Sequence, residues 1–473
     1  MRKQILWNSD WLFARGDTPE KATPVTLPHT WNAKDGQDGG NDYYRGTCLY
    51  TKAFEAPDHS DSEEVWLEFE GVAMTAVVTL NGQELVRHEG GYATFRVNLT
   101  PALAAQNTLT VAVDNGKNRT VYPQKADFTF YGGIYRPVHL LVVPKAHFAL
   151  DYHGAPGLRI TPVLSADLKT AEIHAEAWVT GAAQSVQFTL GEETLSAAVT
   201  DGKAEGTFKL ENVHLWDGVN DPYLYKMQAT LDSGDAVEAN FGCRTIAFDA
   251  EKGFILNGRP YRLCGAARHQ DRQGLGNALT EKEHDEDMAL LREMGANTVR
   301  LAHYQHAQYF YDLCDKYGLV AWAEIPYITE HMPEGRANTL SQMTELVVQN
   351  YNHPSIVCWG LSNEITGSGK TEDLVENHKL LNDLCHKLDA TRPTTMAHIF
   401  MLDANDPLVF LPDIRSYNLY YGWYVGEWDQ NDAWFDEFHK NHPDAVIGLS
   451  EYGADANPAY QSAKPAKGDW SEG

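Results

Sequence analysis

Asn352-His353-Pro354-Ser355-Ile356-Val357-Cys358-Trp359-Gly360-Leu361-Ser362-Asn363-Glu364 is the stretch on which the fold turns. Its apolar run from Ile356 to Leu361 reads as a short strand buried on both faces, as in a parallel sheet, and it stops abruptly at an amide and a carboxylate. Acids at the C-terminal ends of parallel strands lie on the face where α/β barrels carry their chemistry. Outward from this stretch, strands alternate with helices from Phe248 onward. Thr280 with Glu283 forms a capping box, the helix continues through Met288 and Leu291, and Gly295 supplies its stop. Strands are expected near 261–266, 298–301, 319–324, 356–361, 394–398, 416–420 and 446–451. This series predicts a (β/α)8 TIM barrel over 248–473 that lacks its eighth strand, in a segment shorter than the roughly 250 residues usual for the fold.

The preceding sequence has a different grammar. Val65, Leu67 and Phe69 alternate with Trp66, Glu68 and Glu70, and Asn81-Gly82 marks a hairpin, so 1–147 reads as a β-sandwich. Strands such as 173–179 and 186–190 suit an immunoglobulin-like sandwich over 148–247, a spacer without a visible catalytic constellation. The polar tail from Gln461 to Gly473 is expected to fray.

The 473 residues are 43% hydrophobic and 22% charged, with no long apolar segment. The net charge of −27 disfavours nucleic-acid backbones and anionic membrane surfaces, leaving a neutral substrate as the simpler expectation. Met1-Arg2-Lys3-Gln4-Ile5-Leu6-Trp7-Asn8 has no signal-peptide core, so a cytoplasmic location is expected. Six scattered cysteines with no Cys-x-x-Cys pair argue for reduced, mostly buried thiols and against a zinc site.

Glu364 and Glu451 both end apolar strands, the fourth and the seventh, and so project into one barrel mouth. Two converging carboxylates can divide labour. One, kept protonated by burial and its partner's charge, donates a proton; the other stays ionised and attacks an anomeric carbon. Retention of configuration needs them about 5–5.5 Å apart. Arg268-His269-Gln270-Asp271 follows the first strand, His303-Tyr304 the second, and Tyr420-Tyr421-Gly422-Trp423-Tyr424 the sixth. Imidazoles there can bond sugar hydroxyls, a tyrosine can orient the nucleophilic carboxylate, and Trp423 can stack on a ring. His306 beside His303 lacks a clear third ligand for a metal.

With these residues the chain resembles glycoside hydrolase family 2 over essentially its whole length. Tyr43-Tyr44-Arg45-Gly46 and Tyr131-Gly132-Gly133-Ile134-Tyr135-Arg136 resemble the family's jelly-roll sugar-binding domain, and Leu215 to Tyr225 its immunoglobulin-like domain. Asn297 to Tyr304 and Asn352 to Glu364 resemble its two barrel signatures. The resemblance implies Glu364 as acid/base, Glu451 as nucleophile and Tyr420 as its holder. Asn363 would meet the sugar 2-hydroxyl, and His269, His303 and Asp127 would contact the sugar, Asp127 from the first domain. The chain departs from the family at Gln305, where proline is usual, and at Ala267, where asparagine is usual. No cofactor is required; for a structural or activating magnesium or sodium ion, Glu324, Glu330 and His331 give no clean match.

The expectation is therefore a retaining exo-β-glycosidase acting on terminal β-D-galactosides, because Arg268 to Gly274 looks more like bacterial galactosidases. The alternatives are a β-glucuronidase of the same family, or a non-catalytic carbohydrate-binding fragment with an open barrel, weakly active or inactive in isolation. The partner is a β-linked sugar, with no nucleic acid or membrane; a homo-oligomer is compatible with this reading.

Overall fold

The strand quoted first is the most enclosed of the barrel: all eight residues of Ile356–Asn363 are buried. In the computed structural model, which describes residues 2–37, 42–457 and 459–471, it lies fourth in a seven-stranded parallel sheet. We label these strands β1 (Gly265–Arg268), β2 (Thr298–Leu301), β3 (Val320–Glu324), β4 (Ile356–Asn363), β5 (Thr394–Ile399), β6 (Ile414–Asn418) and β7 (Ile447–Glu451). Each pairs with the next in sequence, and among the described residues β1 and β7 are the sheet's two edges. Continuous apolar runs are what a sheet covered on both faces requires.

Helices α1 (Glu281–Glu293), α2 (Gln308–Tyr317), α3 (Arg336–Asn350), α4 (Glu372–Leu388) and α5 (Gln430–Asn441) alternate with the strands. At α1 the expected box forms, the Thr280 N–H donating to Glu283 Oε2 at 2.8 Å, and Gly295 adopts φ +80° just past the helix. Phe310, Leu346, Trp359, Leu361 and Leu381 belong to the core between helices and sheet. Gly360 permits a close approach in β4: a Cβ there would stand 2.5 Å from Glu324 Cβ and 2.6 Å from the Trp322 ring nitrogen.

Two β-sandwiches precede the barrel. The first packs a four-stranded sheet (Lys3–Leu6, Val138–Pro144, Glu63–Phe69, Phe95–Asn98) on a six-stranded one, around Trp11, Tyr50, Leu67, Phe69 and Val111. Its Asn81-Gly82 hairpin forms as expected, with φ 53° and 85°. Trp66, expected on the outward side, is instead buried with Leu141, Val143 and Leu150, because that face of the sheet is covered by the chain entering the second sandwich. The second sandwich closes on Phe148, Ile173, Phe188, Phe208 and Met227.

The start of the decisive stretch ties the second sandwich to the barrel. Asn352 accepts from the Ile160 N–H at 2.8 Å and donates to the Leu158 carbonyl at 2.9 Å. At this same end of the barrel, where the strands begin, Phe254 and Leu256 of a small antiparallel ribbon pack with Trp216, Val320, Val357 and Ile414. A cavity of about 230 Å3 in the barrel interior is lined by Val299, Trp322, Cys358 and Gly448, with Phe254 at its base.

The tail does not fray where it is described. The Gly468 N–H donates to the Trp423 carbonyl at 2.9 Å, the Trp423 indole N–H donates to the Asp469 carbonyl at 3.0 Å, and Lys467 pairs with Glu427 at 2.8 Å. Backbone bonds to the loop after β6 offset the ordering cost that polar composition alone suggests. Its last two residues, 472 and 473, lie outside the described residues. All six cysteines are free, and all but Cys264 are buried. No helix among the described residues is long and apolar enough to cross a membrane.

Candidate active site

Arg300, the third residue of β2, is the charge around which the C-terminal mouth of the barrel is built. It is buried, and its guanidinium grips Glu324 at the end of β3 through Nε at 3.0 Å and Nη2 at 2.9 Å. Nη2 also donates to Asn363 Oδ1 at 2.9 Å, and Nη1 pairs with Glu451 Oε1. The fork of a guanidinium suits such a cluster, since it satisfies two carboxylates at fixed angles without ever losing its charge. His303 completes the group, its Nδ1 2.7 Å from Glu324 Oε1 and its Nε2 3.6 Å from Glu451 Oε1.

These neighbours decide the state of Glu451. Burial works against its charge, yet Arg300, His303 and the Tyr420 hydroxyl outweigh burial and hold its carboxyl below the usual carboxylate range. Tyr420 donates its hydroxyl to Glu451 Oε2. Its own ionisation is pushed far up by burial and then by the charge on Glu451, so it stays a donor.

Glu364 has the opposite environment. It follows β4 in a left-handed conformation, φ 46°, an uncommon one for a residue with a Cβ, and its N–H bonds the Ala397 carbonyl of β5 at 2.8 Å. Burial raises it, as do the charges of Glu451 and Asp127, against the pull of Asn418 and His303; its carboxyl lies above the usual range. Asn418 Nδ2 donates to Glu364 Oε1 at 2.9 Å. One carboxyl lowered beside another raised is the direction of divided labour that acid/base chemistry needs.

Around this pair the expected sugar contacts separate into two groups. His269 is kept neutral: burial first, then the proximity of His303, lowers it to about 3, and its Nδ1 is 3.2 Å from the Tyr304 hydroxyl. Asp127 is exposed on the first sandwich, close enough for its charge to bear on Glu364. Its neighbour Phe128 lies 5.0 Å from the His269 ring and 6.0 Å from the His303 ring, so the first sandwich reaches the mouth. His303, by contrast, is buried and engaged with carboxylates.

Trp423 departs from expectation. It is buried, its N–H is used by Asp469, and its ring lies 3.9 Å from that of Tyr424, so the face expected to meet a sugar ring is covered by protein. The more exposed Tyr424 occupies that side. The segment behind the galactoside expectation is also largely structural. Arg268 is bonded to Asp287, His284 and His306; Gln270 accepts from the Ala307 N–H at 2.7 Å; Asp271 accepts from Tyr131 at 2.9 Å; Arg272 pairs with Glu286 and Asp287. Within this segment His269 lies close enough to Glu451 to feel its charge.

Nor do the residues weighed for a cation come together. Glu324 is taken up by Arg300 and His303, Glu330 faces Arg119 at 3.8 Å, and His331 is bonded to Tyr327 and Asp373, each at 2.6 Å. Arg300 and Asn418 are site residues that the sequence motifs do not single out, and Glu324 is expected from them only as a poor metal ligand. The signal for Arg300 and Glu324 was available: charges inside apolar strands require each other.

Three family models match in chain order: a glycosyl hydrolase 2 galactose-binding domain-like model over 42–152, a glycosyl hydrolases family 2 model over 156–244, and the family 2 TIM barrel domain over 249–465. A β-glucuronidase of Bacteroides fragilis is 36% identical over 512 aligned residues, which cover 99% of this chain and 71% of that protein. The crystal structure of an FMN-binding β-glucuronidase from Facaelibacterium prausnitzii L2-6 superposes with a TM-score of 0.95 at 40% identity, covering all of this chain and 75% of that one. That of a putative β-galactosidase from Bacteroides fragilis gives 0.92 at 35%, covering 98% and 74%. With the barrel, the paired carboxylates and this likeness over nearly its full length, the chain belongs to glycosyl hydrolase family 2.

Proposed function

We propose that the site is that of a retaining exo-β-glycosidase whose substrates are β-D-glucuronides. The observation that carries the chemistry is the opposed shift of the two carboxyls, Glu451 held below the usual carboxylate range by Arg300, His303 and Tyr420, Glu364 raised above it by burial. In the first step Glu451 attacks the anomeric carbon while Glu364 gives its proton to the departing glycosidic oxygen; in the second, Glu364 takes a proton from water as that water displaces the glycosyl ester. Asn363 is set to meet the 2-hydroxyl, and His269 and Asp127 to meet other sugar hydroxyls. Support for the glucuronide comes from the β-glucuronidases at 36% and 40% identity. The galactoside expectation rested on Arg268 to Gly274, whose side chains are mostly spent on α1 and the first sandwich.

Rates on 4-nitrophenyl β-D-glucuronide and β-D-galactoside, measured side by side, test the assignment. A charge-assisted contact to the uronate is worth roughly 1.5–3 kcal/mol, so the glucuronide is expected to lead by about 10- to 100-fold in kcat/KM. A faster galactoside would return the reading to galactosidase, and binding without turnover of either would favour a non-catalytic role.

A further inference from the structure

Asn418, the last residue of β6, is completely buried and touches both catalytic strand ends at once. Its Oδ1 accepts from the Ser450 hydroxyl at 2.6 Å, next to Glu451 on β7, while its Nδ2 donates to Glu364 Oε1 at 2.9 Å and to Asn363 Oδ1 at 3.3 Å after and within β4. The orientation of this amide follows from its neighbours. Arg300 can only donate, so the Asn363 atom 2.9 Å from Nη2 is an acceptor. What Asn418 presents to that acceptor, and to the adjacent carboxyl, is therefore its NH2 group, which leaves its carbonyl for Ser450. The chain Arg300 to Asn363 to Asn418 to Glu364 thus runs with every donor assigned.

An amide NH2 cannot accept a proton, and the Glu364 oxygen it faces is thereby held as an acceptor. We propose that Asn418 is a positioning residue for the acid/base carboxyl: it reserves Oε1 of Glu364 as an acceptor, so that the transferable proton resides on Oε2, and Ser450 locks the amide in that sense. This rests on the reading of Glu364 as acid/base. The proton then leaves from one defined atom, and proton transfer in the first step needs no rotation of the carboxyl. The other titratable groups bearing on Glu364 are Glu451 on β7, His303 after β2, Asp127 on the first sandwich, and Tyr420 and Tyr424 after β6. Asn418 is the neutral donor among these groups and favours the ionised form of Glu364, opposing burial.

The test uses the full chain with Asn418→Ala, the isosteric Asn418→Asp and Ser450→Ala. Two readouts are taken: the alkaline limb of kcat/KM against pH, and infrared titration of the protonated carboxyl band that Glu364→Gln removes. Losing one hydrogen bond to a charged group should move both to higher pH by about one unit in Asn418→Ala. Asn418→Asp should move them at least as far, and Ser450→Ala less but in the same direction. Turnover of substrates with poor leaving groups should fall more than that of activated aryl glycosides. If the alanine and aspartate variants lose rate while the limb and the band stay where the parent has them, Asn418 is merely structural and the proposal fails; should Asn418→Ala not fold, the other two variants decide. If instead Glu364→Gln keeps the parent's alkaline limb, it is the acid/base reading that falls.

Discussion

The ends of β4 and β7 carry the same functional group, a half-buried glutamate, in surroundings that differ in kind. Glu451 meets a guanidinium, an imidazole and a phenol; Glu364 meets one neutral amide and lies in reach of two other carboxylates. Burial opposes charge at both positions. At Glu451 the guanidinium, the nearby imidazole and the phenol together overcome it, and at Glu364 the single amide does not. Two carboxylates that are interchangeable as letters are shifted in opposite directions by the number and charge of what faces them, which is what the proposed roles of nucleophile and acid require, and the decisive cation, Arg300, belongs to neither strand.

The contrast is most sharply broken at Glu451. Glu451→Gln keeps the shape and removes the attacking charge, so loss of kcat/KM should exceed the roughly 10²–10⁴-fold that a missing general acid costs; parent-like hydrolysis of an aryl β-glucuronide by this variant would show that the nucleophile lies elsewhere. Glu364→Ala should fall within that range on substrates with poor leaving groups and much less on activated ones, with azide restoring turnover of the latter. An equal loss on both classes, unrelieved by azide, would mean that Glu364 transfers no proton. Tyr420→Phe removes one charge-assisted bond and leaves Arg300 in place. The expected cost is about 1.5–3 kcal/mol, or roughly 10- to 100-fold in kcat/KM. Because that bond favours the ionised form of Glu451, its loss raises the carboxyl, and the acidic limb of the profile should move to higher pH. An unmoved limb would assign Tyr420 to packing alone.

Much of the architecture was legible because burial leaves a periodic trace. The run Ile356 to Leu361 could only be a strand covered on both faces, and the abrupt polarity of Asn363 and Glu364 marked where it leaves the sheet. The Asn81-Gly82 turn and the Thr280 box are local devices whose chemistry is complete within four residues. Arg300, Glu324 and Asn418 were harder to see, since each sits inside or at the end of a strand and its partner lies on another one. Trp423 shows the converse. An exposed-looking aromatic loop suggested a sugar platform, and the docked tail together with Tyr424 turned that ring inward. Apart from His269, the polar side chains of Arg268 to Gly274, from which a galactoside was expected, sit by a strand end but are directed away from the mouth, Arg268 and Arg272 to α1 and Asp271 to Tyr131.

By itself the sequence determined the βα series, the two sandwiches before it, and the placement of Glu364 and Glu451 at strand ends that share one mouth, because strand periodicity and parallel order follow from which residues must leave water. Only the tertiary structure decided which glutamate is held below the usual carboxylate range and which is raised above it. That depends on Arg300, His303, Tyr420 and Asn418 converging from β2 and β6, and electrostatic interaction acts across the few ångströms separating side chains in space, whatever their separation along the chain.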